Sequence, residues 1–247
     1  MSDPNLIFLM GPTASGKSAL ALELAQHLPV EIISVDSAMV FRGLDIGTAK
    51  PSRTERAAVP HHLIDICDPA EVYSAGRFRD DALALIDRIV ARGRTPLLVG
   101  GTGLYFRSLQ LGIARLPAAD AAVRAQLEAD AAITGWVAMH GRLREVDPEA
   151  ATRIHATDPQ RIQRALEVYT LTGRSLSSHL ADRSAVPLAG RVHKFVLNFP
   201  DRARLHDRIG TRFQHMLDQG LLEEARGLYQ RGDLQPTHPS MRLVGYS

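Results

Sequence analysis

Apolar residues fill positions 6–10 (LIFLM) without a polar interruption, and positions 31–35 (EIISV) and 96–100 (PLLVG) form two further short apolar runs. Runs of this length without strict alternation suit strands covered on both faces, as in a parallel sheet. Between them the spacing turns helical: residues 18–28 (SALALELAQHL) end before Pro29, and residues 77–91 carry an amphipathic stripe. The alternation predicts an α/β fold in which residues 6–35 form a βαβ unit, with any ligand held at the carboxyl ends of the strands. Residues 37–76 are rich in Gly, Pro, Asp and Ser with little periodicity, and read as a long functional loop region containing short helical pieces.

From residue 115 to 183 the sequence becomes Ala-rich and helix-forming, without strand signals. Asp147-Pro148 and Asp158-Pro159 mark two helix starts, with Asp as cap and Pro in the first turn. On the second of these helices Gln160, Arg161 and Arg164 can share a face opposite Ile162, Leu166 and Tyr169. Strand-like sequence returns at 192–199 and is followed by a helix over 201–219 that stops at Gly220. Leu205, Ile209, Phe213 and Met216 make that helix's expected buried stripe, beside a line of Arg204, Arg208 and Arg212 suited to clamping phosphate. The expected organisation is a core of 1–114 and 184–247 carrying a helical insertion, 115–183.

The turn after the first strand supplies the chemistry. Gly11, Gly16, Lys17 and Ser18 fit G-x-x-x-x-G-K-[ST] without a gap. Such a loop, here Gly11, Pro12, Thr13, Ala14, Ser15, Gly16, Lys17 and Ser18, curls so that successive N–H groups face inward, and the following helix adds its positive end. Lys17 would reach the terminal phosphate, and the Ser18 hydroxyl would hold Mg²⁺. The pattern points to a bound nucleotide, polyphosphate or diphosphate, without singling out ATP. Asp36, at the tip of the second strand, and the glycine-rich turn at 100–103 fall at the same edge of the sheet.

Composition narrows the picture further. The 247 residues include 45% hydrophobic and 23% charged positions, ordinary for a globular chain, and the formal net charge of +2 does not by itself announce a nucleic-acid partner. Charges balance within 115–183, so attraction to RNA there would have to come from placement. Cys67 is the single cysteine, which excludes a disulfide framework and suits a reducing compartment. With no basic, apolar leader and no apolar run long enough to span a bilayer, a cytoplasmic protein without a membrane partner is expected. His61, His62 and Asp65 suggest packing more than metal ligation, Trp136 suggests core, and Cys67 shows no sign of nucleophilic activation.

Taken together, GPTASGKS at 11–18, VDS at 35–37, DIGTAKP at 45–51, HHLID at 61–65, YSA at 73–75, GGTGLYF at 100–106, DPQRIQRALEVY at 158–169 and the final LVGY closely resemble the bacterial tRNA dimethylallyltransferases, over nearly the whole chain and in family order. The resemblance implies a P-loop NTPase-like parallel sheet flanked by helices, with an all-helical insertion that grips the anticodon stem-loop of tRNA. It implies transfer of the dimethylallyl group of dimethylallyl diphosphate to the exocyclic amine of the adenosine 3′ to the anticodon, with Mg²⁺ as helper and a monomeric enzyme. An adenine amine is a poor, stacked nucleophile, so the base has to be extruded and read as a single-stranded loop base.

By the same resemblance Asp36 matches the general base, and Thr13 and Arg212 match residues near the reacting diphosphate, where Lys17 and Arg212 suit the charge on the leaving group. A carboxylate that holds Mg²⁺ is the competing role for Asp36. Thr102 and Arg124 match positions that contact tRNA, as do the segments Asp36, Ser37, Ala38, Met39 and Gln160, Arg161, Ile162, Gln163, Arg164. Met39 and Phe41 stand where family members often have Gln and Tyr, and the family continues with further helices beyond Ser247. Alternatives are a prenyltransferase for free adenine nucleotides, a P-loop nucleoside or nucleotide kinase, and a non-enzymatic RNA-binding switch.

Overall fold

The structure, a computed structural model, describes residues 4–114, 116–182, 188–199 and 201–246. In chain order its elements are β1 (Asn5–Met10), α1 (Lys17–His27), β2 (Val30–Val35), α2 (Arg53–Ala58), β3 (His61–His62), α3 (Ala75–Ala91), β4 (Thr95–Gly100) and α4 (Gly103–Leu111). Helices α5 (Ala121–Thr134), α6 (Trp136–Val146), α7 (Pro148–Arg153), α8 (Pro159–Thr172) and α9 (Leu176–Ala181) follow. The chain returns through β5 (Arg191–Val196), α10 (Arg202–Asp218) and α11 (Leu221–Tyr229), then a 3₁₀ turn at Pro239–Arg242. Two compact units result, one of residues 1–110 with 188–247 and the other of residues 111–187. The expected bounds of the insertion, Arg115 and Arg183, and the terminal Ser247 lie outside the described residues.

The three apolar runs do become neighbours in one parallel sheet, in the order β3-β2-β4-β1-β5. Alternate side chains enter two separate cores: Leu6, Phe8, Ile33 and Leu98 face one side, where Phe8 meets Phe106 and Phe78 stacks on Tyr105, while Leu9, Ile32 and Leu97 face α1 on the other. Each such fully buried side chain contributes roughly 1.5–3 kcal/mol. Strand β4 lies between β1 and β2, so the strands of the expected βαβ unit do not pair with each other.

Two elements differ from expectation inside the loop-rich stretch and after it. Its helical piece is α2, closed by a capping box in which Ser52 and Glu55 exchange hydrogen bonds. It also contains β3, a two-residue edge strand too short to leave a periodic pattern. The glycine-rich turn after β4 runs straight into α4, because Tyr105, Phe106 and Leu109 are buried on the sheet. Gly100 permits the tight approach of β4 to β2: a Cβ there would lie 2.0 Å from the Val35 carbonyl oxygen.

Glu31 enters the sheet at the end away from the glycine loop and is 4% exposed. His62 Nε2 donates to it at 2.8 Å and Arg92 in a fork at 3.0 and 2.7 Å, tying the edge strand and the end of α3 to β2. Burial alone would raise this carboxyl, but the hydrogen bonds from Arg92 and His62 outweigh it and hold it below the ordinary carboxylate value.

In the second unit Leu127, Met139, Leu143, Ile162 and Leu166 form a core in which Ala131, Ala150, Ala151 and Ala165 let helices approach closely. Both predicted Asp-Pro starts are real caps: Asp147 accepts from Ala150 N–H at 3.0 Å and Asp158 from Arg161 N–H at 3.1 Å. Tyr169, expected on the buried face of α8, is 37% exposed; Ala165 and Val168 fill that side instead. Among the described residues no helix is long and apolar enough to cross a membrane.

Two outcomes follow for stability. Gly100→Ala is expected to destabilise the first unit by about 3 kcal/mol or more in urea unfolding, since backbone has to move. Glu31→Gln should cost about 3 kcal/mol at neutral pH by leaving its cations unpaired. Because the folded carboxyl titrates below the unfolded one, its contribution is complete above the unfolded value and disappears as pH falls through the folded value. The acid limb of stability against pH should therefore be shallower in Glu31→Gln.

Candidate active site

The strands share a register that brings their carboxyl ends level: Met10 is opposite both Gly100 and Val196, and Val35 is also opposite Gly100. The residues that follow, Gly11, Asp36 and Gly101, therefore leave the sheet side by side. Gly11 is required where the chain leaves β1, because a Cβ would lie 2.5 Å from the Leu197 carbonyl oxygen beyond β5. Ala14 (φ 62°) and Gly16 (φ 93°) are left-handed, the kind of backbone turn by which such loops present N–H groups to an anion at a helix start. Lys17 Nζ donates to the Pro12 carbonyl at 2.5 Å and to Ser15 Oγ at 3.4 Å.

A cleft of about 730 Å³ opens over this loop. Thr13 to Ser18, Asp36, Arg208 and Arg212 give it a polar wall, and Ala21, Leu22, Ile32, Met39, Ile64 and Val99 an apolar one. Burial lowers the Lys17 ammonium from its ordinary value; Asp36 opposes the shift and Arg212 adds to it. Burial likewise disfavours charge on Arg212, again opposed by Asp36. Two desolvated cations thus share one carboxylate, a field that an incoming polyanion would complete.

Asp36 caps its own turn, accepting from Ala38 N–H at 2.8 Å and Met39 N–H at 3.4 Å. Thr102 Oγ1 accepts from Ser37 N–H at 3.2 Å, so two separately predicted contact positions are joined in space. Met39 lines the cleft with its sulfur 3.7 Å from Ser34 Oγ, whereas Phe41 is 2% exposed in the core.

On α10 the cationic line, not the apolar one, is turned to the loop. Arg208 Nε donates to the Ala14 carbonyl at 3.0 Å, and Arg208, Arg212 and His215 line the cleft. Arg204 is instead an exposed partner of Asp201 at 3.7 Å, so only two of the three predicted arginines form the clamp. The apolar stripe is correspondingly not buried as expected: Met216 is 8% exposed, but Ile209 is 40% and Phe213 47% exposed. His215, three residues beyond Arg212, had that spacing as its sequence signal. Lys50 and His61 also line the cleft; both fall within motifs that carry the resemblance, but lie in a stretch without periodicity and had no place in the site assigned to them.

Of the predicted contact residues of the second unit, Arg124 and Arg164 bind Glu167, whose side chain is 0% exposed. Arg124 donates to it in a fork at 2.8 and 3.1 Å, Arg164 Nη1 donates to its second oxygen, and the Asp120 N–H donates at 2.9 Å. Burial pushes this carboxyl up, but those donors outweigh it and hold it low. Gln163 donates to the Arg124 carbonyl at 3.3 Å and to Glu128 at 3.0 Å. Arg161 is exposed beside Asp158, and Gln160 is exposed. Ile162, carried along in the predicted segment, is 0% exposed and packs in the core, so its side chain offers no contact surface.

The remaining conspicuous side chains have structural partners. His61 Nδ1 lies 2.7 Å from the Val59 carbonyl, His62 pairs with Glu31, and Asp65 is bound by Lys50 and Arg56. Burial pushes the Cys67 thiol up, and Trp136 packs on the second unit's core.

A glycine loop and its lysine at the carboxyl edge of a parallel sheet, with two arginines lining the same cleft, define a P-loop-type α/β protein. The pattern of one such group, the IPP transferases, matches residues 39–247, and the chain belongs to that family. It is 60% identical to a tRNA dimethylallyltransferase of Thioalkalivibrio sulfidiphilus over 98% of this chain and 76% of the relative. Among solved structures it is similar to the full-length tRNA isopentenylpyrophosphate transferase of Bacillus halodurans, with 40% identity and TM-score 0.62 over 98% of this chain and 75% of that one. It is also similar to a eukaryotic dimethylallyltransferase acting on tRNA, with 29% identity and TM-score 0.78 over 94% of this chain and 58% of that one.

The clamp is testable by calorimetric titration with inorganic diphosphate. Lys17→Met and Arg212→Ala should each weaken binding at least tenfold, by roughly the worth of a charge-assisted hydrogen bond. Arg204→Ala should leave it within twofold.

Proposed function

We infer that the chain transfers the dimethylallyl group from dimethylallyl diphosphate to the exocyclic amine of the adenosine 3′ to the anticodon in tRNA, releasing diphosphate. The observation that supports this most is the cleft in which Lys17 and Arg212 face Asp36, in a chain that belongs to the IPP transferase family. In this reading the loop amides, Lys17 and Arg212 hold the diphosphate and stabilise the charge it gains as the allylic carbon–oxygen bond breaks. Asp36 takes the proton from the amine as the carbon–nitrogen bond forms. Thr13, at the rim of the cleft, sits beside the reacting diphosphate. The adjoining apolar wall suits a five-carbon chain. Ser37, Ala38, Met39 and Thr102 meet the extruded nucleotide, while Arg124 and Arg164, aligned by Glu167, face the RNA backbone with Gln160 and Arg161.

The oxygen donors at the loop fit Mg²⁺. Among the described residues no three His, Cys, Asp or Glu side chains gather to hold a metal ion, and Mg²⁺ is commonly held by one or two protein oxygens together with substrate phosphates. Ser18 would hold it, and when bound it would neutralise charge on the diphosphate. We place the enzyme in the cytoplasm, where Cys67 stays reduced. No observation favours the kinase or the free-nucleotide alternative.

Incubation with labelled dimethylallyl diphosphate and tRNA is the direct test: label should enter the anticodon-loop adenosine. Label appearing only in free nucleotides, or phosphate transfer from labelled ATP to a nucleoside, would overturn the reading. Asp36→Ala should slow single-turnover transfer by roughly 10²–10⁴-fold while diphosphate affinity stays nearly intact. Loss of Mg²⁺-dependent diphosphate binding would instead assign the carboxylate to the metal.

A further inference from the structure

The direction of the Asp36 carboxylate is set by the backbone of residues 38 and 39, whose N–H groups it accepts. That backbone is itself held from the side by residues 65–67. Asp65 N–H donates to the Met39 carbonyl at 3.2 Å, Ile66 and Cys67 N–H both donate to the Val40 carbonyl at 2.9 Å, and Arg42 N–H returns to the Cys67 carbonyl at 2.9 Å. Residues 65–67 therefore act as a splint along 39–42. The splint begins in a strained conformation: Asp65 (φ 57°) is left-handed without being glycine, as are Leu63 (φ 62°) just before it and Ala49 (φ 49°) beside Lys50 in the chain. Such backbone persists only where its surroundings over-determine it.

What over-determines it is one ion-paired cluster. The Asp65 carboxylate is taken by Lys50 Nζ on one oxygen and by Arg56 Nη1, at 2.6 Å, on the other. The Lys50 side chain is 2% exposed, and its three N–H bonds have three acceptors: the Phe41 carbonyl, Asp45 at 2.8 Å and Asp65. Lys50 thus grips both partners at once, the held segment through Phe41 and the splint through Asp65. Its third acceptor is held in turn by Glu224, which accepts the Asp45 N–H at 2.8 Å. A buried ammonium with all its donors satisfied makes this junction stiff.

We propose that Lys50 and Asp65 are positioning residues for Asp36: their ion pair locks segment 39–42 to segment 65–67 and so fixes the direction in which the Asp36 carboxylate meets the incoming amine. The proposal rests on Asp36 being the base. A residue that acts only through Asp36 has nothing left to position once that carboxylate is gone, and a double-mutant cycle detects this.

Single-turnover transfer from dimethylallyl diphosphate to tRNA is measured for Lys50→Met and Asp65→Asn, each alone and combined with Asp36→Ala. Each is expected to slow transfer at least 30-fold in the presence of Asp36 and less than threefold in its absence, with affinity for inorganic diphosphate within twofold throughout. An equal loss in both backgrounds, or no loss in either, overturns the proposal. If Lys50→Met fails to give a cooperative melt, the isosteric Asp65→Asn carries the same cycle. Failure of the broader reading is visible separately, before Lys50 or Asp65 is touched, as absence of label transfer by the unaltered enzyme or full activity of Asp36→Ala.

Discussion

A parallel sheet sends every strand's carboxyl end in the same direction, and in this protein register makes those ends coincide to the residue. Met10, Gly100, Val35 and Val196 form a single line across β1, β4, β2 and β5. The phosphate loop, the Asp36 turn and the Thr102 turn all leave from that line, so residues far apart in sequence meet without any long-range side-chain contact having to recruit them. Packing at the line is tight enough that backbone carbonyls exclude a Cβ at both Gly11 and Gly100. Chemistry at the sheet edge is therefore inherited from backbone pairing.

Charge is arranged to suit an anion in the first unit and to be complete in the second. Around the loop, charge on Lys17 and Arg212 is disfavoured by burial, and Asp36 opposes that on both. Around Glu167 two guanidiniums and a backbone N–H share one carboxylate deep in the helical unit. The first arrangement gains from an anion; the second already has one and uses it to set side-chain direction.

Legibility in the sequence followed locality. The β1–loop–α1 stretch and the Asp147 and Asp158 caps were readable because the strand run, the glycine spacing and the capping partner all lie within a few residues. The strand β3 was not, since two residues leave no period and its existence depends on pairing with β2. The α10 stripe misled because amphipathic spacing names two candidate faces, and the attraction of Arg208 to the Ala14 carbonyl decides which turns inward. Glu167 and Lys50 lie inside motifs that carry the resemblance, yet their roles were not readable: a buried charge looks like any surface charge until distant partners such as Arg124 and Asp65 are in place. Family resemblance supplied Arg124 and Thr102 as positions, but not the Glu167 fork or the link to Ser37 that give them direction.

The lysine of the phosphate loop has a last consequence. Its ammonium already donates to the Pro12 carbonyl and the Ser15 hydroxyl, so one of its three N–H bonds is left for an arriving anion and any further contact exchanges a resident acceptor for the anion. Exchange among acceptors of similar strength yields little, and only a ligand with more negative charge than a neutral carbonyl or hydroxyl shifts the balance. For that exchange a densely charged diphosphate has the advantage over a monoanion, since the strength of a charge-assisted hydrogen bond grows with the charge on the acceptor. A preference of this kind arises from the acceptors that the loop itself supplies to its lysine.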